Sequence, residues 1–224
     1  MYIDWIKTRE FEAKMGTVRY IAIEGPLRVG KTSLARSLAE RLRARPLLDS
    51  EENPFLGNFY RGESGSAFRA QMYFLMSRYQ CIHEADVSHS HTPIVADYLF
   101  EKNKLFAYIN LNDDEVAIYD RYYRHFKEQL PAPDLVVYLK APTDVLRERI
   151  ARKNVADESH ISDEYIDEVV RAYEHFFAHY KAADVLVVDT SKSDFVHREK
   201  DLEELLEELS QPVQGTQYFL PLGS

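Results

Sequence analysis

Short apolar runs alternate with amphipathic stretches along most of the chain. The runs fall at 18–23, 45–49, 93–97, 134–139 and 184–189; the fourth reads Asp134-Leu135-Val136-Val137-Tyr138-Leu139 and the fifth Asp184-Val185-Leu186-Val187-Val188-Asp189. They are continuous rather than alternating in polarity, which predicts strands buried on both faces, as in a parallel sheet. Between them, apolar residues recur at helical spacing near 31–43, 64–90, 112–130, 142–153 and 162–182. Strand and helix in regular alternation predict an open α/β sheet with helices on both faces. Residues 199–210 place Leu202, Leu205, Leu206 and Leu209 on one face with acids opposite, the pattern of a terminal helix packed on its own domain. The closing segment Gly215 to Pro221 is apolar enough to dock on something. The first fifteen residues carry Ile3, Ile6 and Phe11 at the spacing of a short helix.

Composition narrows the class without naming it. The 224 residues are 45% hydrophobic and 29% charged, ordinary for a globular chain. We expect one domain over 1–224, with an N-terminal extension at 1–16 and a C-terminal tail at 211–224. The net charge of −9 makes a nucleic acid an unsuitable main partner. Cys81 is the only cysteine, which excludes an internal disulfide and suits a reducing compartment. No apolar run approaches the length that crosses a bilayer, and Met1 to Lys14 lacks the apolar core of a signal peptide. A cytoplasmic protein without a membrane partner is the expectation.

The chemistry starts at Gly25-Pro26-Leu27-Arg28-Val29-Gly30-Lys31-Thr32-Ser33. The segment follows the first strand, opens the first helix and carries the G-x-x-x-x-G-K-[ST] spacing of a phosphate cradle. Its glycines let consecutive backbone N–H groups turn toward anionic oxygens, and the helix start adds partial positive charge. Lys31 is placed to reach the outer phosphates of a nucleoside triphosphate, and the Thr32 hydroxyl to ligate magnesium. Ligands of open α/β sheets bind beyond the carboxyl ends of the strands, and the loop, Asp49 to Glu52, and Asp97 all fall at that edge.

Phosphoryl transfer also needs a carboxylate on the metal side and a group that takes the acceptor's proton. Asp97, ending the third strand, suits the first role; the competing reading is a helix cap before Tyr98-Leu99-Phe100. Glu51 and Glu52 suit the second, against a competing reading as acids opening a helix at Asn53-Pro54. Arg147, Arg149 and Arg152, with Lys153, are candidates to fold over the phosphates, or else form a solvated helix face. His83, His89 and His91 have no carboxylate or thiolate at ligand spacing. Asn103-Lys104-Leu105-Phe106 lacks the aspartate of a guanine-reading Asn-Lys-x-Asp, and no strand-end D-x-x-G is present, which disfavours a regulatory GTPase.

Taken in order, these elements resemble the deoxynucleoside kinases, especially the bacterial deoxyguanosine/deoxyadenosine kinase branch. The resemblance runs from Arg19 to about Leu209. It rests on the phosphate loop, Glu52-Asn53-Pro54-Phe55-Leu56, Gln71 to Arg78, Asp97-Tyr98 through Phe106-Ala107, Pro133 to Leu139 with the arginines beyond, and Val187-Val188-Asp189-Thr190-Ser191. It implies a three-layer fold with a five-stranded parallel sheet and a helical lid, a homodimer, and ATP with Mg2+. It implies transfer of the ATP γ-phosphate to the 5′-hydroxyl of a deoxynucleoside, with purines preferred, in nucleotide salvage. By resemblance Glu52 draws the hydroxyl proton and Asp97 stands on the magnesium side. Tyr60 and Glu158 hold the 3′-hydroxyl, Gln71 and Arg78 bond the base, Phe106 stacks on it, and Arg149 and Arg152 are lid residues. Tyr98 stands where the family usually has an arginine, Lys102 falls near the base-reading aspartate of some members, and the lid lacks the frequent Arg-Gly-Arg. A thymidylate-type monophosphate kinase and a non-catalytic ATP-binding regulator are the rival readings. The first would need an arginine at or near Tyr98 to clasp a phosphate.

Overall fold

A computed structural model of the chain describes residues 18–50, 52–153, 161–195 and 198–221. Its strands are β1 (Tyr20–Glu24), β2 (Arg45–Leu47), β3 (Ile94–Ala96), β4 (Leu135–Lys140), β5 (Asp184–Asp189) and β6 (Thr216–Phe219). They form one sheet in the order β2-β3-β1-β4-β5-β6, and every neighbouring pair is parallel. Among the described residues the expected five strands are therefore six. The sixth is the apolar C-terminal segment, which docks on β5 through Val185–Thr216 to Val188–Phe219 pairs. Its alternating exposure explains why it does not read as a buried strand: Thr216 and Tyr218 face solvent.

The helices are α1 (Lys31–Arg41), α2 (Leu56–Tyr60), α3 (Ser66–Glu84), α4 (Lys102–Asn110), α5 (Asp113–Lys127), α6 (Thr143–Lys153), α7 (Asp163–His179) and α8 (Glu199–Leu209). Successive β4 residues point to opposite faces. Leu135, Val137 and Leu139 pack with Leu34 and Leu38 of α1 and with Leu202 and Leu205 of α8. Val136 and Tyr138 pack with Leu105 of α4 and with Val169, Tyr173 and Phe177 of α7. Both faces are thus covered, the reason the strands carry unbroken apolar runs. A third cluster joins α3, α4 and α5 through Leu75, Ile82, Ala107, Tyr119 and Tyr123. The long helix expected over 64–90 starts after Gly65 in the left-handed region and stops at Glu84; Asp86 just beyond has φ 45°. Asn112 and Glu115 form a reciprocal capping box that starts α5, and Ser162 caps α7.

β1 lies inside the sheet. The chain winds from it to β3 and β2 on one side and to β4, β5 and β6 on the other, so the switch in winding direction falls at the end of β1. That is where a crevice opens in such sheets. Glu51, Glu158 and the segment expected to form an N-terminal helix lie outside the described residues.

Candidate active site

The phosphate loop follows β1 at that switch. Gly25 has φ 153° and Gly30 φ 111°, and a Cβ on Gly25 would sit 2.3 Å from the Leu139 carbonyl oxygen. Arg28 takes a left-handed φ of 58°, which completes the turn. The Lys31 ammonium donates to the carbonyls of Gly25 and Pro26 at 2.8 and 2.9 Å, so it is aimed back across the loop. Burial, followed by the nearby Lys102 charge, pushes Lys31 down to about 8.

The loop is held from beneath by an acid that sequence reading passed over. Glu24 is fully buried at the end of β1. Its Oε1 accepts from the Gly25 N–H at 2.8 Å and the Tyr173 hydroxyl at 3.0 Å, and its Oε2 from the Leu99 N–H at 2.8 Å. One carboxylate thereby joins the β1 exit, the β3 exit and α7. An ionisable residue ending an otherwise apolar strand was the available signal.

Asp97 is buried just past β3 and unites the loop with the β2 exit. Its Oδ2 accepts from the Thr32 hydroxyl at 2.5 Å, and its Oδ1 from the Asp49 N–H at 2.6 Å. The competing reading of Asp97 as a helix cap is not what the structure shows, since α4 begins at Lys102 with Glu101 at its cap position. A hydroxyl and a carboxylate converging beside a phosphate loop form an all-oxygen donor set, which suits Mg2+.

The acceptor side is built on α3. Gln71 and Arg78 lie two turns apart on one face of it, both buried. Arg78 grips Asp49 through Nε at 3.0 Å and Nη2 at 2.8 Å, and donates through Nη1 to Asn103 Oδ1 at 2.6 Å. The Lys102 ammonium adds a contact to Asp49 Oδ2 at 2.9 Å. Burial would raise the Asp49 carboxyl, but the combined Arg78 and Lys102 charges outweigh it and hold it well below the usual carboxylate range. Gln71 Oε1 is buried without a hydrogen-bond partner among the described residues. An orphaned acceptor of this kind costs about 1–3 kcal/mol, a cost that a ligand's donor would remove.

The remaining predicted residues fall around this cleft. Glu52 is exposed, its N–H donating to Ser50 Oγ at 3.1 Å. Asn53 next to it donates to the Ala70 carbonyl at 3.0 Å, which pins the segment against α3 beside Gln71. Tyr60 closes α2 with its ring 5.3 Å from that of Phe59. Phe106 is half-buried and meets Tyr173 edge to face at 6.2 Å. Arg149 donates to the Val29 carbonyl at 3.2 Å and to the Thr190 hydroxyl and carbonyl at 3.0 and 2.6 Å, so it belongs to the loop's own frame. Burial, then the Arg152 charge, lowers its pKa from the ordinary value. Arg152 is exposed, and Arg147, midway along α6, pairs with Asp163 at the start of α7 at 2.5 Å. The Tyr98 hydroxyl points into the core, buried and without a hydrogen-bond partner among the described residues. His89 pairs with Asp86, and among the described residues no group of three His, Cys, Asp or Glu is arranged to hold a metal.

A phosphate loop at the switch point of a parallel sheet, bonded through Asp97 and Asp49 to a buried arginine on one helix, defines a nucleotide-binding phosphotransferase. Comparison with known proteins makes the class specific. A family model described as deoxynucleoside kinase matches residues 21–214. The chain is 32% identical over 199 residues to the deoxyguanosine kinase of Bacillus subtilis, covering 85% of this chain and 96% of that one. It is 24% identical over 206 residues to the same organism's deoxyadenosine/deoxycytidine kinase, covering 88% and 94%. The structure of deoxyadenosine kinase from M. mycoides with bound dATP aligns with a TM-score of 0.74 at 22% identity, covering 86% of this chain and all of that one. The chain belongs to the deoxynucleoside kinase family. It is an enzyme of that transferase class.

Proposed function

We propose that the protein transfers the γ-phosphate of ATP to the 5′-hydroxyl of a purine deoxynucleoside, deoxyguanosine foremost, in nucleotide salvage. The observation that carries this reading is the bond path from Thr32 through Asp97 to Asp49. Continued by Asp49 to Arg78, it links the phosphate loop to the helix that carries Gln71, whose Oε1 has no hydrogen-bond partner among the described residues. The similarity to named deoxyguanosine kinases favours guanine.

In this reading the loop N–H groups and Lys31 bind the triphosphate, Lys31 exchanging its two carbonyl partners for phosphate oxygens. Thr32 and Asp97 would hold Mg2+, which when bound neutralises phosphate charge. Arg149 keeps the loop in shape, and Arg152 stands at the solvent side of α6 to meet the phosphates. Gln71 bonds the base edge, Arg78 shapes the floor beneath it, Phe106 presses on the ring, and Tyr60 with Glu158 holds the 3′-hydroxyl. Glu52, on the segment after β2, receives the hydroxyl proton. Positioning and fixed charge supply most of the acceleration in such reactions.

Met76 on α3 and Ile118 and Tyr122 on α5 are large apolar side chains in solvent, 49–56% exposed, which supports pairing of two copies through these long helices. A homodimer in the cytoplasm is the working form in this reading. No helix among the described residues is long and apolar enough to cross a membrane.

The test is to incubate the protein with Mg-ATP and a panel of deoxynucleosides and deoxynucleoside monophosphates. Monophosphates formed fastest from deoxyguanosine are expected. Diphosphates formed from monophosphates would give the site to a monophosphate kinase, and no product from any acceptor would point to a non-catalytic binder.

A further inference from the structure

Gly25, the first residue of the phosphate loop, is held from both sides of its backbone. Its N–H donates to Glu24 Oε1 at 2.8 Å, and its carbonyl accepts from the Lys31 ammonium at 2.8 Å. In the function proposed above, Lys31 exchanges the Gly25 and Pro26 carbonyls for phosphate oxygens. The loop then has two arrangements, and Glu24 is the hold on Gly25 common to both. Its charge, with those of Asp97 and Asp49, also faces Lys31.

What aims Glu24 is therefore what aims the loop. Two of its donors are the backbone N–H groups of Gly25 and Leu99, and the third is the Tyr173 side chain. The Tyr173 ring is 1% exposed and stacks between Tyr138 and Phe177, with centroids 6.2 and 6.4 Å away. Its edge meets Phe106 at 6.2 Å and 76°. Phe106, on α4, is half-buried and is the ring that presses on the acceptor's base in the proposed function. One side chain thus touches the acceptor-side ring with its own ring and the loop's carboxylate with its hydroxyl. Rings packed at interior density do not shift independently of their neighbours.

Resting on the function proposed above, we infer that Tyr173 is a positioning residue that couples the two substrates. A base seated on Phe106 packs that ring against Tyr173, and the Tyr173 hydroxyl fixes Glu24 beneath the phosphate loop. With Glu24 fixed, the Gly25 N–H stays aimed into the cradle when Lys31 leaves the Gly25 carbonyl. The acceptor therefore prepares the loop for the triphosphate. By linkage, the triphosphate must strengthen acceptor binding by the same factor. Tyr173 touches neither substrate in this scheme; it acts through Phe106 on one side and Glu24 on the other.

The experiment titrates the magnesium complex of a non-hydrolysable ATP analogue, the β,γ-imido triphosphate, into the protein with and without saturating deoxyguanosine. Calorimetry gives the ratio of the two affinities for the parent, Tyr173→Phe, Phe106→Leu, the double variant and Leu205→Val. Leu205 packs on the opposite face of the sheet, so its variant controls for lost stability, read by thermal melting. The parent is expected to bind the analogue about tenfold tighter with deoxyguanosine present, and the reciprocal titration to give the same factor. Tyr173→Phe is expected to reduce that factor below about twofold while binding each ligand alone within about threefold of the parent. The double variant should match Tyr173→Phe, since one contact is removed from both ends. Leu205→Val should keep the parental factor. Should Tyr173→Phe not fold, Phe106→Leu carries the test, because its ring is only half-buried and its factor should fall likewise. Parental coupling in Tyr173→Phe, or an equal loss in Leu205→Val, would overturn the inference. A parent that binds no deoxynucleoside defeats the function reading itself, whereas a parent that phosphorylates deoxyguanosine without coupling defeats this inference alone.

Discussion

The hydroxyl of Tyr173 donates to Glu24 Oε1 at 3.0 Å, linking the helix that follows residues 154–160 to the first turn of the phosphate loop. The Gly25 N–H shares that oxygen. Any tilt of α7 is thereby felt at the first N–H of the phosphate cradle, through a single fully buried carboxylate.

Glu24→Ala would leave three buried donors without partners: the N–H groups of Gly25 and Leu99 and the Tyr173 hydroxyl. At roughly 1–3 kcal/mol for each orphaned group, and with some relaxation, a loss of about 3–5 kcal/mol is expected in urea unfolding. Tyr173→Phe removes one donor and leaves the other two in place, so it should cost only about 1 kcal/mol. Equal losses in the two variants would contradict the three-way role.

Gly25→Ala tests the loop's geometry. The added Cβ meets the Leu139 carbonyl oxygen at 2.3 Å, and φ 153° is a conformation side chains avoid. Backbone must move on one side or the other, and a change of this kind costs on the order of 2–4 kcal/mol. A drop in melting temperature together with loss of ATP binding is expected, with circular dichroism and a titration as the readouts.

Lys31 sets a pH limit on nucleotide binding. Burial and Lys102 bring its ammonium down to about 8, below the usual lysine value, so the charge is present below that pH and lost above it. ATP affinity should hold between pH 6 and 7 and weaken through pH 8 to 9 by about tenfold, as the phosphate loses its cation. The linkage to folding has the opposite sign. Because the folded state gives up this proton more readily than the unfolded chain, the stability penalty of the buried ammonium is relieved as pH rises past 8. Lys31→Met should abolish the pH dependence of binding in this range.

Arg149 is expected to behave as part of the cradle. Its fork spans Val29 and Thr190, which a lysine's single ammonium cannot reproduce. Arg149→Lys should raise the KM for ATP about tenfold with a smaller effect on the KM for deoxynucleoside, measured in steady-state kinetics. Equal effects on both substrates would place Arg149 elsewhere in the chemistry.

An acidic residue at the exposed Ile118 of α5 should separate two copies if they pair through the long helices. Sedimentation of Ile118→Glu is expected to give half the parental mass with an unchanged melting profile. Parental mass in the variant would exclude this face.

Most of the fold was legible because buried strands and amphipathic helices leave unbroken or 3.6-residue apolar patterns. β4 and β5 were found within one residue of their ends for that reason. β6 was hidden because, among the described residues, it pairs along one edge and half its side chains are wet. α4 was hidden because its sequence, Lys102 to Asn110, buries a lysine and an asparagine on the side a helix pattern expects to be apolar. The phosphate loop was legible because its backbone demands fixed residue types. The acceptor side was less so: Asp49, Lys102 and Asn103 come from β2 and α4, and only the sheet's order brings them to Arg78 on α3.

The most direct test of the central claim is the phosphorus NMR spectrum of the product formed from deoxyguanosine, Mg-ATP and the protein. The account predicts a single new phosphate monoester signal coupled to the two 5′-methylene protons, rising as ADP accumulates. A signal coupled to the lone 3′ proton, a new diphosphate made from added monophosphate, or ADP without any new ester would contradict it.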